Sequence, residues 1–237
     1  MRYCLSFILS ILFFTHGIAQ KRFKSFTEGK YYVGNALDFM MLSTAIVSKP
    51  GSSSKLTTPR FTAFVNFGFT LNHDINAKWG WSTGLGLRNM GFIEKEDELT
   101  IKRRVYSVGV PFGFKYGDLR NRKFKFFGAG VDFPFHYFEK RFVERSDKIR
   151  NNEWFSDRTP KVMPFAFIGQ SFDPGITFKL QYYPLNFLNE DFATSDNIKL
   201  YEGYKVNLIL FSLGIDIHYN MYKRQQREYL DLKKGKE

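Results

Sequence analysis

Alternation of large apolar and small residues is the feature that most limits what this chain can fold into. In the segment VYSVGVPFGFKYG, residues 105–117, Phe112 and Phe114 lie on one side of an extended chain, while Gly113 and Lys115 lie on the other. A period of two predicts a β-strand with two unlike faces. A soluble sheet would expose a face rich in Lys, Glu and Thr, but here the smaller face is mostly Gly and Ser. We therefore expect the large side chains to contact lipid and the small ones to fill a narrow barrel.

Eight segments of the chain show this alternation, and each is about as long as a strand that crosses a bilayer at a tilt. Short connections alternate with long, charged ones, which is typical of outer-membrane barrels with their short turns in the periplasm. The fold class predicted is therefore all-β, an eight-stranded antiparallel up-and-down transmembrane β-barrel. The segments are residues 30–42, 61–71, 79–92, 105–116, 124–137, 162–172, 175–184 and 205–219. The short connections are 72–78, 117–123 and 173–174, and the long ones are 43–60, 93–104, 138–161 and 185–204.

The N-terminus predicts export from the cytoplasm. Residues 1–19 contain Arg2, an apolar run over 5–14 and a small-residue exit that ends at Ala19, which together form the pattern of a signal peptide. The one cysteine, Cys4, lies inside this peptide. The mature chain then has no cysteine, and this excludes both a disulfide framework and a thiolate metal site.

The domain organisation follows from these two patterns. We expect residues 20–29 to lead into the barrel, residues 30–219 to form it, and residues 220–237 to be a basic tail in the periplasm. No 18-residue apolar stretch follows the N-terminus, so no transmembrane helix is expected. The formal charge of +12 is scattered through turns, loops and tail rather than collected in one block, so nucleic acid is not an expected partner.

The small-residue faces carry charges of both signs. Because an unpaired buried charge is costly, we expect these charges to pair inside the barrel, with Lys115 and Asp132 in one network. Pro111 lacks an N–H in mid-strand, and we expect a β-bulge beside it. The predicted interior charges are Asp38, Arg88, Lys115, Asp132, Lys179 and Asp216.

Aromatic residues at the ends of the strands predict girdles at the two membrane interfaces, where amphipathic rings prefer to lie. The strand directions assign them to opposite rims of the barrel. At the periplasmic rim we expect Tyr31, Trp79, Trp81, Tyr116 and Tyr219, and at the outer rim Tyr106, Tyr137 and Tyr182.

The long connection 138–161 is the strongest candidate for contacts outside the cell. It mixes both charges with aromatic residues, and two interpretations stay open. One is a solvated loop facing lipopolysaccharide. The other is a contact surface in which aromatic anchors and arginines grip phosphate or carboxylate groups. The candidate contacts are Arg141, Phe142, Arg150, Trp154 and Phe155.

Catalysis is not the expected function. Ser107, Asp132 and His136 share the predicted inner face, but alternation alone brings such neighbours together. No metal-spaced cluster or phosphate loop appears, so neither a metal nor a cofactor is expected. An eight-stranded lumen filled by side chains argues against a porin. A soluble lipocalin-like barrel would have its aromatics inside and its charges outside, which is the reverse of this pattern. A lipid-active enzyme remains a distant alternative.

Three segments carry a resemblance to a known family: strand 105–117, then FKFFGAGVDFPFHY, then ITFKLQYYPLNFLNEDF. They resemble the outer-membrane β-barrel proteins of Bacteroidota, some of which are PorT-like. Those proteins have a Pro-containing fourth strand that ends in Lys-Tyr, a Gly-rich fifth strand and a YYP…FLN exit from the seventh. The resemblance covers residues 30–219 and implies the barrel fold. Through PorT it also implies an alternative function in a secretion or envelope complex.

The expected function is therefore a structural or interaction role in the outer membrane, exercised through the long extracellular loops. The expected partners are outer-membrane lipid and lipopolysaccharide. In the PorT-like alternative they include proteins of an envelope or secretion complex.

Overall fold

A computed structural model describes residue 29 and residues 31–96, 99–143, 147–173 and 175–218. The predicted signal peptide, the start of the lead-in segment, Tyr219 and the basic tail lie outside these residues. Ten β-strands are found in the described part of the chain, and no helix there is long and apolar enough to cross a membrane. The strands are β1 (Tyr31–Ser48), β2 (Lys55–Leu56), β3 (Arg60–Asp74), β4 (Trp79–Glu96), β5 (Leu99–Asp118), β6 (Lys123–Val143), β7 (Asp147–Trp154), β8 (Met163–Phe172), β9 (Ile176–Tyr182) and β10 (Lys205–His218).

Eight of these strands close into a ring. The hydrogen-bonded order is β10–β9–β8–β6–β5–β4–β3–β1, and β10 also pairs with β1. This closing pair is antiparallel and runs from Gly34 opposite His218 to Ser48 opposite Lys205. The prediction of an eight-stranded antiparallel barrel is confirmed. The two remaining strands lie off the ring, where β2 pairs with β1 and β7 pairs with β6.

The two ends of the barrel differ. At one end, which we call the turn end, tight turns over 75–78 and 119–122 join β3 to β4 and β5 to β6. Between β8 and β9 at the same end, the Gly175 N–H donates to the Phe172 carbonyl at 2.6 Å. At the other end, which we call the loop end, strands project well beyond their predicted limits. The predicted loop 93–104 is almost entirely strand, and most of 138–161 belongs to the β6–β7 hairpin. The prediction ended these strands too early because their outward faces become polar at the loop end.

Side chains alternate between the inside and the outside of the ring as predicted. On β5, Ser107 has no exposed surface, whereas Phe112 on the opposite face is 47% exposed. The exposed apolar side chains surround the ring and form what we call the apolar belt. Its members include Phe61, Phe67, Phe69, Leu85, Val108, Phe112, Phe114, Phe127, Phe133, Ile168, Phe178, Leu180, Phe211 and Ile215.

Two β-bulges reverse this alternation at the loop end. Pairing from β1 to both neighbours skips Phe39, so the buried positions change from the even-numbered Tyr32 to the odd-numbered Met41. Pairing from β5 to β6 skips Phe135, so that Asp132 and Tyr137 are both buried although they differ in parity. A bulge inserts one residue and thereby moves every following side chain to the opposite face.

The expected bulge at Pro111 is absent. Pro111 lies opposite Gly130 in the unbroken part of the β5–β6 register. On the other side, pairing with β4 stops after Phe112 and resumes at Gly109 in the same register. The hydroxyl of Thr83 donates to the Pro111 carbonyl at 2.9 Å. A local interruption of β4–β5 pairing, rather than an inserted residue, thus accommodates the missing N–H.

The loop-end half of the interior is filled by an apolar core. The connection over 183–204 enters the barrel mouth, and its rings and branched side chains pack against strand residues. Two backbone hydrogen bonds hold it to β10, from Tyr183 to Leu208 at 2.9 Å and from Phe187 to Val206 at 2.8 Å. The buried core includes Met41, Ala45, Val47, Met90, Phe92, Val105, Tyr137, Met163, Phe165, Tyr183, Phe187, Leu188, Tyr201, Val206, Leu208 and Leu210.

The apolar belt predicts the effect of adding a charge. If it contacts lipid, Phe112→Arg should lower the free energy of unfolding in phospholipid vesicles by about 2–4 kcal/mol. Thr100→Arg is the matched control, since it lies on the same face of β5 but beyond the belt, and should change that free energy by under about 1 kcal/mol. Urea titration of both variants measures the difference. Equal effects would show that the belt does not face lipid.

Candidate functional site

A buried polar cluster fills the interior near the turn end. Lys115 Nζ lies 2.6 Å from Asp74 Oδ1 and donates to the Tyr32 hydroxyl at 2.8 Å. The Tyr32 hydroxyl in turn donates to Asp74 at 3.0 Å, and Asn72 Oδ1 accepts from Lys115 at 3.3 Å. Four side chains from β1, β3 and β5 therefore satisfy one another, as buried charges require.

A second cluster lies at mid-height. Arg88 Nη1 donates to both oxygens of Asp132, at 2.8 and 2.9 Å, and the hydroxyl of Tyr183 also donates to this carboxylate. The guanidinium stacks over the ring of Phe165 at 4.4 Å. Gly109 makes room for the pair, because a Cβ at that position would lie 2.1 Å from Asp132 and 2.6 Å from Arg88.

The six predicted interior charges are distributed over four ion pairs, two of which are those just described. Lys179 lies 3.0 Å from Asp38, and Asp216 lies 3.8 Å from Arg122. The expected network of Lys115 with Asp132 is wrong, because Lys115 is level with Phe126 on β6 and not with Asp132. Lys115 instead pairs with a residue that the sequence places in a turn.

The three residues considered for catalysis are not brought together. Ser107 is buried and, within the described part of the chain, its hydroxyl has no hydrogen-bond partner. Asp132 is occupied by Arg88. His136 was predicted to point inward, but it follows the bulge at Phe135, and its ring lies 4.6 Å from the exposed ring of Trp154. Among the described residues, no group of three or more His, Cys, Asp or Glu is placed to hold a metal.

Aromatic residues line the turn-end rim of the belt. Tyr31, Trp79 and Tyr116 are exposed there. The rings of Trp79 and Tyr116 lie 4.5 Å apart, and those of Tyr31 and Trp81 lie 5.9 Å apart.

At the loop end, the predicted rim needs one correction. Tyr182 is exposed and Tyr106 is partly exposed, but Tyr137 is only 1% exposed. The bulge at Phe135 turns Tyr137 into the barrel, where its hydroxyl donates to Glu139 at 2.6 Å.

Above the apolar belt, the inward face of the extended strands carries a compact ion-pair network. Arg103 lies between Glu94 and Glu139, at 3.0 Å from the latter, and Lys49 lies 2.7 Å from Glu94. Arg141, predicted as a loop contact, instead lies 2.7 Å from Glu139. Lys49 also pairs with Glu96, so three bases and three acids on this face neutralise one another.

Burial and ion pairing oppose each other at these two carboxylates. Burial raises the pKa of Glu94, but hydrogen bonds from Lys49 and the charge of Arg103 outweigh it and hold that pKa below its usual value. Burial also raises the pKa of Glu139. The charge of Arg103, the hydrogen bond from the Tyr137 hydroxyl and the charge of Arg141 outweigh this effect and hold that pKa below its usual value.

The outward face of the same strands is different. The positions above Tyr106 on β5 are Arg104 and Lys102, and the guanidinium of Arg104 lies 4.2 Å from the ring centre of Phe138. Lys102 lies 5.1 Å from the ring centre of Phe142. Basic groups here are ordered by aromatic rings. We call Lys102, Arg104 and these rings the basic–aromatic face.

The remaining predicted loop contacts lie beside this face. Arg150 is exposed on β7, Trp154 is 67% exposed at the end of the strand, and Phe155 is 70% exposed just beyond it. The ring of Trp154 stacks on Phe135 at 6.0 Å. Of the five predicted contacts, only Arg141 is turned away, because it occupies the inward face of β6.

Sequence reasoning missed several residues that the structure places at these sites. Asp74 continues the even-numbered inner positions of β3, so extending the alternation beyond residue 71 would have found it. Arg103 and Glu94 likewise continue the inner positions of β5 and β4. Glu139 could not be found this way, since the bulge at Phe135 changes the parity before it.

Comparison with known proteins gives no relative by sequence: neither a family model nor a curated protein matches the chain. Similar solved structures include Ail of Yersinia pestis, solved with the heparin analogue sucrose octasulfate, at 12% identity and a TM-score of 0.38, over 81% of this chain and 100% of Ail. They also include Neisserial surface protein A, at 13% identity and a TM-score of 0.40, over 80% of this chain and 97% of that protein. The N-terminal barrel domain of OprF from Pseudomonas aeruginosa matches at 9% identity and a TM-score of 0.31, over 79% of this chain and 100% of that domain. The fold assignment rests on the strand topology.

The separate interior pairs predict where energetic coupling lies. Replacing either Arg88 or Asp132 strands a buried charge and should cost about 3–5 kcal/mol, while Arg88→Met with Asp132→Leu should cost less than the sum of the two. A second double-mutant cycle on Lys115 and Asp132 should give coupling below about 0.5 kcal/mol. Unfolding free energies measure both cycles. Stronger coupling in the second would contradict the arrangement described here.

The low pKa values of Glu94 and Glu139 predict acid sensitivity at the loop end. A carboxyl whose pKa is lower in the folded state stabilises that state above its ordinary pKa, and the stabilisation is lost as pH falls through the folded value. The protection factors of amides in the upper parts of β4 and β6, which correct for the intrinsic pH dependence of exchange, should therefore fall below about pH 4.5. Glu139→Gln should lessen this pH dependence, whereas Glu190→Gln, in an exposed loop, should leave it unchanged. Protection factors that stay constant as the pH falls in the parent protein would contradict this prediction.

Proposed function

We propose that this chain is an integral outer-membrane protein with a non-catalytic interaction role, exercised at the loop end. The belt of exposed apolar side chains around a closed barrel supports membrane insertion, since water-soluble barrels do not surround themselves with such a surface. The proposed orientation has the turn end in the periplasm and the loop end outside the cell. It rests on the difference in connection length.

The observation that carries the interaction role is the β6–β7 hairpin. It is built on a strand of the ring and extends above the belt, with Trp154 and Phe155 mostly exposed at its base. Exposed aromatic side chains on a rigid support are the usual anchors of binding surfaces. Meanwhile the interior is filled by paired charges and the apolar core, which supports a contact function over passage through the lumen.

A PorT-like role in a secretion or envelope complex is a finer form of the same proposal. It rests on the resemblance of residues 30–219 to Bacteroidota barrels. The same aromatic surface would then bind a protein of that complex. We propose it as the second candidate.

The experiment places a cysteine at Asn152, which is exposed on the hairpin, or at Asn121, in the turn-end connection 119–122. A membrane-impermeant, thiol-reactive photo-crosslinker should label Asn152→Cys on intact cells and join it to an envelope component. Replacing Trp154 and Phe155 with serine should abolish the adduct and leave the thiol labelling intact.

Asn121→Cys is the matched control and should be labelled only after the outer membrane is opened. Equal labelling of the two cysteines on intact cells would overturn the proposed orientation. An adduct that persists without Trp154 and Phe155 would overturn the aromatic surface as the binding site.

A further inference from the structure

Charge is distributed unequally across the extended strands above the belt. On the inward face, three bases lie within ion-pair distance of three acids, namely Arg103, Arg141 and Lys49 with Glu94, Glu96 and Glu139. On the outward face, no described carboxylate lies within 4.0 Å of Lys102 or Arg104, and their partners are aromatic rings. The inward charges are therefore compensated within the chain, and these outward ones are not.

The outward cations lie at one particular height. Along the outward face of β5, Val108 belongs to the apolar belt, Tyr106 follows, and Arg104 and Lys102 come next. Successive outward positions on a strand are about 7 Å apart. The basic–aromatic face thus begins within one or two positions of the belt, where the headgroup of a lipid lying against the belt would be.

A third cation reaches this place from the neighbouring part of the wall. β3 and β4 pair only from Phe67 opposite Leu87 toward the turn end, so a seam separates them above that point. Arg60 occupies an inward position at the start of β3, opposite the buried Ser43, and its side chain extends through the seam and donates to Asn89 Oδ1 at 3.1 Å. Asn89 is the residue opposite Tyr106 on β5, so this contact brings Arg60 to the basic–aromatic face.

The guanidinium groups of Arg60 and Arg104 are each incompletely hydrogen-bonded. Within the described part of the chain, Arg60 Nη1 and Arg104 Nε are inaccessible to solvent and have no hydrogen-bond partner. Buried donors of a cationic group are costly when unpaired, and an anion beside these partly exposed side chains offsets that cost through its charge. Phosphate oxygens accept such hydrogen bonds from arginine particularly well.

We propose that Lys102, Arg104 and Arg60 bind the phosphate of an anionic glycolipid in the outer leaflet, whose acyl chains lie against the apolar belt. The inference rests on the proposed outer-membrane location. The three cations lie directly above the apolar belt, where acyl chains would pack. This arrangement favours a lipid over a soluble protein as the ligand. The rings of Phe138 and Phe142 hold the two β5 cations in place before binding, which reduces the side-chain entropy lost on association.

The test uses the purified mature protein in zwitterionic detergent, titrated with bisphosphorylated lipid A and followed by native mass spectrometry. Lipid A with both phosphates removed should bind at least about tenfold more weakly, and phosphatidylglycerol should also bind more weakly. Lys102→Gln with Arg104→Gln should weaken binding of bisphosphorylated lipid A by roughly 25-fold, at about fivefold for each charge near an anionic surface. Arg104→Lys should retain most of the binding.

The matched control is Lys78→Gln with Lys125→Gln, which removes two exposed lysines at the turn end and should change the affinity less than about twofold. Heat-modifiability on gels checks that each variant is folded. Lys102→Gln alone, at an exposed position, replaces the double variant if the latter does not fold, and should weaken binding about fivefold.

Three results would overturn the proposal: equal binding of dephosphorylated lipid A, an equal loss with the control pair, or full competition by inorganic phosphate alone. The binding is measured on purified protein. It can therefore fail while the cell-surface labelling at Asn152 succeeds, and the reverse also holds.

Discussion

The narrow interior of an eight-stranded ring is the constraint on which the rest of this structure depends. Closure of β1 on β10 leaves space that side chains alone can fill, so each buried charge needs a partner within reach. Small residues beside the pairs supply the necessary room, as Gly109 does beside Arg88 and Asp132. Toward the loop end the same space is filled by rings from the connection 183–204. With the lumen filled, the surfaces left for contacts are outside the ring.

The two bulges allow one chain to satisfy different requirements at the two ends. Near the turn end, Tyr32 of β1 completes a polar cluster, whereas beyond the bulge at Phe39 the same strand supplies Met41 and Ala45 to the apolar core. On β6, the bulge at Phe135 turns Tyr137 and Glu139 inward. Without the bulge, Glu139 would be exposed at the rim, and Arg103 would lose one of its two carboxylate partners.

Alternation in the sequence was enough to predict the ring, the eight strands and the faces of β5, because it reports directly which side a residue takes. It could not predict partners across the lumen. Which inward residues share a height depends on the register between strands, so Lys115 meets Asp74 and not Asp132. Nor could it predict parity beyond a bulge, which is why Tyr137 was misplaced. At the loop end both faces of the strands carry polar residues, so the apolar–polar alternation disappears. The sequence analysis therefore assigned these parts of the strands to loops.

The positive charge of this chain is unevenly placed for a physical reason. Inside the ring and on the inward face above it, low dielectric makes an uncompensated charge expensive, so Arg103 and Arg141 are matched by Glu94 and Glu139. On the outward face this requirement is weaker, since Lys102 is exposed and Arg104 is partly exposed, so that water or headgroups reach these cations. Excess charge can therefore persist on the outward face, and rings such as Phe138 fix its position at a gain on the order of 0.5–1 kcal/mol for each contact. The alternation that seals the barrel is thus also what leaves an ordered set of cations on its outer wall.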